Sequence, residues 1–238
     1  MAQLKGNERS AFVASMFGRI SRRYDFLNTL MTGGMHYVWR KSAAKLTASD
    51  ISGDVLDIAS GTGDFAFNLL KYPNIETVVG LDFSPNMLDV AVEKSSKLGF
   101  ENEFVVAVGD AHSLPFVDES FAGATIGFGV RNFADLPKAL ADIVRVTKRG
   151  GRVTILEIVI PKGKLSATIF ISYFKWITPK MGRLFAGDSE AYKYLPESVE
   201  SFMSSDQLTE HLEKAGLINV TVQTKGFGSI AIISGERP

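Results

Sequence analysis

The 238-residue chain contains no cysteine, which excludes disulfides, zinc–thiolate centres and thiol nucleophiles. It also lacks net charge: 26 Lys and Arg balance 26 Asp and Glu. No overall field therefore draws it to nucleic acid or to an acidic partner. No run of about 20 apolar residues is available to cross a bilayer. The first residues, Met-Ala-Gln-Leu-Lys-Gly-Asn-Glu-Arg, lack the apolar centre of a signal peptide, so a cytoplasmic location is expected. Repeats, low-complexity tracts and linkers are missing, and no metal site is expected. What is left, 45% apolar and 22% charged residues, suits one globular α/β domain.

The most informative stretch is Asp54-Val-Leu-Asp-Ile-Ala-Ser-Gly-Thr-Gly-Asp64. Val55, Leu56, Ile58 and Ala59 around Asp57 read as a short buried strand. It runs into Gly61-Thr62-Gly63, after which residues 64–71 carry apolar positions at helical spacing. Glycine suits a backbone that passes close to a ligand or needs positive φ. The turn ends at a helix N-terminus, where free N–H groups favour a negative group. Gly61-x-Gly63-x-x-Ala66 with Asp82 further on also satisfies the relaxed dinucleotide fingerprint. At this point a dehydrogenase and a methyltransferase are equally good readings, and a ligand-free glycine turn is a third.

Around this unit the pattern predicts a helical prelude over 1–48, broken at Gly33-Gly34, and a nucleotide-binding core over 49–160. Strands are expected at 76–82, 103–110, 122–129 and 152–160, with helices opening at Ser84-Pro85 and spanning 135–148. Gly150-Gly151 is read as a helix stop. Such alternation implies a parallel sheet with right-handed crossovers. Residues 161–204 interrupt the rhythm as an insertion, with an aromatic apolar segment at 165–177 and a helix start at Leu195-Pro-Glu-Ser198. A helix and a terminal hairpin turning at Gly226-Phe-Gly228 fill 205–238. The hairpin inserts an antiparallel strand, which a dinucleotide dehydrogenase domain normally lacks. The expected architecture is one domain with a Rossmann-like, mostly parallel seven-stranded sheet and a helical lid.

Acids at successive strand ends narrow the ligand. Asp82 can accept from both hydroxyls of a ribose, since an ionised carboxylate only accepts. Asp110, followed by the backbone N–H of Ala111, suits the edge of an adenine. No basic residue lies within Ser60–Phe65, and Asp57 and Asp64 add negative charge there. That charge disfavours a pyrophosphate and tolerates a sulfonium, so S-adenosylmethionine fits better than NAD. The role of Asp57, ligand contact or orienter of the turn, stays open.

Residues 55–64, Gly80-Leu-Asp-Phe-Ser-Pro-Asn-Met-Leu88, Gly109-Asp-Ala-His-Ser-Leu-Pro-Phe116 and Arg149-Gly-Gly-Arg-Val153 resemble the successive motifs of class I S-adenosylmethionine-dependent methyltransferases. Phe128-Gly-Val-Arg-Asn132, Arg22-Arg-Tyr-Asp-Phe-Leu-Asn28, Gly34-Met-His-Tyr-Val-Trp-Arg40 and the 188–198 region are similar to the ubiquinone/menaquinone biosynthesis C-methyltransferases. The likeness runs along essentially the whole chain. It implies Gly61, Thr62 and Gly63 at the methionine end of the cofactor, Asp82 at the ribose, and Asp110 with Ala111 at the adenine. Gly127 stands where relatives often carry a hydroxyl, so a side-chain contact is lost there.

The family methylates a ring carbon of a prenylated quinol, so the resemblance implies demethylmenaquinol as substrate, or the benzoquinol of ubiquinone synthesis. A ring carbon becomes nucleophilic when a neighbouring hydroxyl ionises, and a phenol titrates near 10. Arg131, always charged, is the candidate stabiliser of that anion, opposed by the reading that it only pairs with an acid. Asn132 is assigned to the other quinol oxygen and Asp110 to proton removal. Tyr24, Asn28 and Tyr192 are expected to line the quinol pocket, with His36 structural. The 165–177 segment is expected either to rest on a membrane surface, taking quinol from the bilayer, or to be an ordinary buried helix. The rival functions are an NAD-dependent reductase and a non-catalytic binder of the methyl donor.

Overall fold

The computed structural model describes residues 6–176, 189–200 and 202–238. Seven strands form one sheet: β1 (Gly53–Ile58), β2 (Ile75–Asp82), β3 (Phe104–Val108), β4 (Phe121–Gly127), β5 (Thr147–Ile158), β6 (Ile218–Lys225) and β7 (Ile230–Glu236). Their order is β3-β2-β1-β4-β5-β7-β6. The first five are parallel, and β7 runs antiparallel to both β5 and β6. Because β1 lies between β2 and β4, the chain reverses its direction of travel across the sheet there. A crevice opens at the carboxyl ends of strands at such a switch point.

Helices α1 (Gly6–Thr32) and α2 (Met35–Ala48) precede the sheet, and α3 (Asp64–Leu69), α4 (Pro85–Leu98) and α5 (Leu136–Val146) connect its parallel strands. Beyond β5 come α6 (Lys164–Trp176), α7 (Ser189–Glu200) and α8 (Ser205–Lys214). Side chains alternate across each strand, and β1 illustrates the consequence. Leu56 and Ile58 pack with Leu140 and Ile143 of α5 and Leu208 and Leu212 of α8. Val55, one residue out of phase, packs with Ala43 and Ala44 of α2, Phe67 of α3 and Ala91 of α4. Each fully buried Leu or Ile contributes about 1.5–3 kcal/mol, so a slip of one residue in β1 would invert both faces. A third cluster joins Val13, Met16, Ile20 and Leu27 of α1 to Tyr194 of α7.

Two local expectations are corrected. Gly150-Gly151 does not end α5. The helix ends at Val146, where Thr147 turns extended and pairs with Phe121. The glycines then make an irregular start to β5, with Gly150 N–H donating to Arg237 O and Gly151 O accepting from Arg237 N–H. A Cβ at Gly151 would lie 2.7 Å from Ala122 O, so close backbone approach explains that residue. Pro196 does not mark a helix start but lies inside α7, giving up one backbone hydrogen bond. Helix α4 opens at Ser84-Pro85 as expected, with Ser84 as N-cap and Pro85 in the first turn; the Ser84 side chain makes no cap bond, and its N–H donates to Asp82 Oδ1 at 2.9 Å.

Candidate active site

Gly61 and Gly63 have φ of +56° and +81°, and a Cβ at Gly63 would stand 2.6 Å from the Phe67 ring. Only glycine gives this turn its shape without strain. Asp82, at the end of β2, is 6% exposed. Its Oδ2 accepts from Gly61 N–H at 2.9 Å while its Oδ1 takes Ser84 N–H. Burial pushes its pKa up to about 6 against those two bonds. Each oxygen keeps a second lone pair, so the carboxylate shapes the turn and can still accept from a diol. Asp57 is buried one strand over, accepting from Ser60 Oγ and Thr125 Oγ1, both at 2.7 Å. Burial raises it too, to about 6. Its two hydroxyl bonds tie β1 to β4 and to the turn, and Asp57 also borders the pocket there.

The turn is gripped from outside by residues distant in sequence. Thr62 Oγ1 donates to Asp25 Oδ1 of α1 at 2.6 Å. Lys94 Nζ, from α4, bridges Asp25 at 2.7 Å and Asp64 at 2.5 Å, and Arg40 of α2 lies 3.5 Å from the other Asp64 oxygen. Burial raises the Asp64 carboxyl, but Arg40 and Lys94 outweigh it and hold it below the ordinary value. The expectation that Asp64 lends uncompensated negative charge to the turn is therefore corrected: two cations from other elements neutralise it. Arg40 also donates to His36 Nδ1, which leaves the ring proton on Nε2, 3.2 Å from Thr29 Oγ1. Burial and then Arg40 lower the His36 pKa to about 4, so its imidazole is neutral at neutral pH; His36 also lines the large cavity that Arg131 lines.

Asp110 stands just beyond β3 in an isolated bridge with Ser113. Its Oδ1 accepts from His112 N–H and from the His112 ring. Since His112 Nε2 accepts from Asp135 N–H, Nδ1 carries the proton. Burial raises Asp110, yet these bonds more than reverse it, leaving the carboxyl lower than usual. Asp110, Ala111, Asp82 and Asn132 share a small cleft at the strand ends, whereas Arg131 lines a different, larger cavity. The proposed general-base role of Asp110 near Arg131 is corrected on both counts: it faces the wrong cleft, and an acid held low is a weak base.

Arg131 follows β4 in a short 3-10 turn, Val130–Asn132. Its Nη1 donates to Glu157 Oε1 at 2.7 Å and to Phe128 O at 2.7 Å, and its N–H reaches Glu157 Oε2 at 3.2 Å. Glu157 lies in mid-sheet on β5, fully buried. The pairing reading for Arg131 thus holds, and Arg131 also lines the cavity. Asn132 Oδ1 accepts from Tyr194 OH at 2.8 Å, which ties the turn to α7.

The cavity has a volume of about 750 Å³. Tyr24, Asn28 and Arg131 line it, together with Trp39, Phe170 and Tyr173. Tyr24 also borders the pocket at the glycine turn, beside Gly61, Thr62 and Gly127, so the two spaces meet at its ring. A Cβ at Gly127 would stand 2.9 Å from Phe65, which accounts for glycine there. Tyr173 OH donates to Met31 O at 2.8 Å, joining α6 to α1 over the cavity. The Tyr192 side chain lies outside the described residues. Sequence reasoning missed Glu157, Lys94 and the Asp25–Thr62 bond. A mid-strand acid amid apolar β5 residues was the available signal for Glu157, since such a charge needs a buried partner.

The sheet order, the glycine turn at the switch point and the antiparallel β7 define a Rossmann-like fold of the class I methyltransferase kind. The chain matches the model of the ubiE/COQ5 methyltransferase family over residues 2–237 and belongs to that family. The demethylmenaquinone methyltransferase of Thermus thermophilus is 41% identical over 223 residues, covering 94% of this chain and 100% of that protein. The ubiquinone/menaquinone biosynthesis C-methyltransferase UbiE of Geobacter sulfurreducens is 35% identical, with 97% and 90% covered. The crystal structure of a SAM-dependent methyltransferase from Thermotoga maritima superposes with a TM-score of 0.67 at 20% identity, covering 94% of this chain and 99% of that one. At that identity the likeness concerns the fold alone.

Proposed function

We propose that the protein is an S-adenosyl-L-methionine-dependent C-methyltransferase that converts a prenylated demethylmenaquinol to menaquinol. The observation that carries this reading is the junction at Tyr24, where an apolar cavity holding a buried arginine meets a glycine turn backed by an acid at the next strand end. Apolar walls suit a lipid-like ring and tail, and Arg131 is a fixed cation at which an aryl oxyanion gains stability. The relatives named for demethylmenaquinone support the naphthoquinol; the ubiquinone precursor differs only in the ring.

The residues fit the methyl donor. Gly61 and Gly63 leave room for its methionine end, Thr62 is held by Asp25, and Asp82 offers acceptors to the ribose. Asp110 and Ala111 stand where an adenine edge would meet an acceptor and a backbone N–H. When bound, the donor supplies a methyl group as a carbocation equivalent and leaves as S-adenosyl-L-homocysteine, the ring carbon giving up a proton in exchange. The protein's part is orientation and charge. Arg131 favours the ionised form of the ring hydroxyl, which raises electron density at the ortho carbon. Glu157 and Phe128 O hold the guanidinium in place, so it need not reorganise. Asn132, fixed by Tyr194, borders the smaller cleft with Asp110 and steadies the turn that carries Arg131. The hydroxyl proton goes to water, Asp110 lying in the other cleft, and the proton that the methylated ring carbon gives up restores the hydroxyl.

Helices α1, α2, α6 and α7 act as a lid that keeps water from the ring, with Tyr24 and Asn28 assigned to the quinol. A prenyl tail leaves lipid only at a bilayer surface, which makes the 165–177 segment a peripheral membrane contact at the inner face of the membrane. The test is product analysis with short-chain naphthoquinol and benzoquinol, alongside calorimetry with S-adenosyl-L-homocysteine and NADH. Methylated naphthoquinol and binding of the homocysteine alone are expected; NADH binding with no methylated product would overturn the reading.

A further inference from the structure

Three elements meet at the mouth of the large cavity: the start of α2, helix α6 and the tip of the β6–β7 hairpin, contributing Met35, Ile169 and Phe227 to its lining. All three side chains are also exposed to solvent, as is Val38 one turn along α2. Phe227 is 98% exposed. The tip is seated on both neighbours. A Cβ at Gly226 would stand 3.7 Å from Trp39 of α2, and one at Gly228 3.8 Å from Pro161, which leads into α6. Phe227 itself has φ +55°, between Gly226 at +56° and Gly228 at +89°. A bulky residue in the left-handed region is strained, and here the strain presents an aromatic ring to water, where it adds nothing to the core. Contiguous exposed apolar surface around a pocket marks an interaction site.

The three elements of this rim carry charge of one sign, while beside them Asp206 pairs with Lys162 at 2.8 Å. In a chain with 26 acids, α2, α6 and residues 218–230 contain no Asp or Glu, yet they carry Lys41, Lys45, Lys164, Lys175 and Lys225. Lys41, Lys45, Lys175 and Lys225 are exposed. Apolar side chains projecting from elements that carry lysines and no acids are the combination that binds the interface of an anionic bilayer.

We propose that this rim is a docking surface for an anionic lipid bilayer, with Phe227 entering the acyl boundary and the lysines meeting headgroup phosphates. The inference rests on the quinol reading of the cavity and deepens it, since a mouth pressed to lipid lets a prenyl chain enter without crossing water. It moves the leading contact from α6 to the hairpin tip and assigns a lipid charge.

The test is co-sedimentation of the full chain with phosphatidylcholine vesicles, with and without phosphatidylglycerol. Wild type is expected to bind the anionic vesicles preferentially and to be released by salt. Phe227→Asp should lower partitioning about tenfold or more with an unchanged melting temperature, since the ring touches no core. Lys41→Glu with Lys225→Glu should lower it on anionic vesicles, about fivefold per lysine, while turnover of a detergent-dispersed short-chain quinol stays at the wild-type level. Binding by Phe227→Asp equal to wild type overturns the proposal, as does equal binding to neutral and anionic vesicles. So does a wild-type dimer in gel filtration that Phe227→Asp dissociates, because the rim would then serve a second copy. Loss of vesicle binding with quinol turnover intact separates this proposal from the functional reading, which fails only if wild type methylates no quinol.

Discussion

The Thr62 hydroxyl donates to the Asp25 carboxylate across 2.6 Å, and this bond joins the glycine turn to the N-terminal helix. Lys94 shares the same carboxylate at 2.7 Å, so the lid helix reaches the turn through a charged contact. Hydrogen bonds to charged groups are worth about 1.5–3 kcal/mol. Asp25→Ala is expected to weaken S-adenosyl-L-homocysteine binding about tenfold, and Thr62→Val by a similar factor. The two act through one bond, so a calorimetric double-mutant cycle should show them clearly non-additive. Additive losses would mean that Asp25 does not act through Thr62.

Arg131 separates chemistry from stability. Arg131→Ala should lower kcat by about 10²–10³ while leaving homocysteine affinity near wild type. It also strands Glu157 in the sheet, at a cost of about 3–5 kcal/mol. The double variant Arg131→Met with Glu157→Gln should recover most of the melting temperature and none of the turnover. Recovery of both would reduce Arg131 to a structural role.

Donor affinity should depend on pH through Asp82. With its pKa at about 6, the carboxyl gains a proton below that pH and loses acceptor capacity toward a ribose diol. Homocysteine affinity is expected to be flat above pH 7 and to fall up to about tenfold per pH unit well below 6. Asp82→Asn should bind more weakly throughout, without that acid limb. A wild-type profile flat down to pH 5 would remove Asp82 from the ribose.

Stability carries a second pH signature. The folded pKa of Asp57, about 6, lies above its ordinary value of 3.8, so the fold binds this proton more tightly than the unfolded chain does. The contribution is fully present below 3.8, declines as pH rises through about 6, and amounts to about 2–3 kcal/mol. His36 runs the other way: its folded pKa of about 4 lies below the ordinary 6.5, so its contribution is lost as pH falls from 6.5 through 4. Asp57→Asn should remove only the first component. Melting curves between pH 4 and 7 will then show the variant losing more stability than wild type on acidification.

Gly63→Ala tests the turn. A Cβ there would stand 2.6 Å from the Phe67 ring at a φ of +81°, and a loss of about 1–3 kcal/mol is expected. Phe67→Leu, which removes the ring edge, should relieve part of that loss in the double variant. Full independence of the two substitutions in thermal melts would contradict the stated clash.

Much of the fold could be read along the chain because its signals are local. Strand β1, the glycine turn and α3 announce themselves through alternation, glycine and helical spacing within 53–69, and Asp82 and Asp110 sit where strands run out. Gly150-Gly151 misled because a helix stop and an irregular strand start both call for glycine. Pro196 misled because a proline suits a first turn and is also tolerated inside a helix when packing compensates. Asp110 was misjudged as a base because the bond from Asp135 N–H to the His112 ring appears only once the loop after β3 meets the start of α5.

Residue order alone determined the parallel core, the acids at its strand ends and the aromatic character of the N-terminal helices, because period and steric demand act within a few residues. Tertiary structure decided which charges meet: Arg131 with Glu157, Asp64 with Arg40 and Lys94, Thr62 with Asp25. Those pairs join strands and helices distant along the chain, and a charge excluded from water takes its state from the neighbours that packing brings to it.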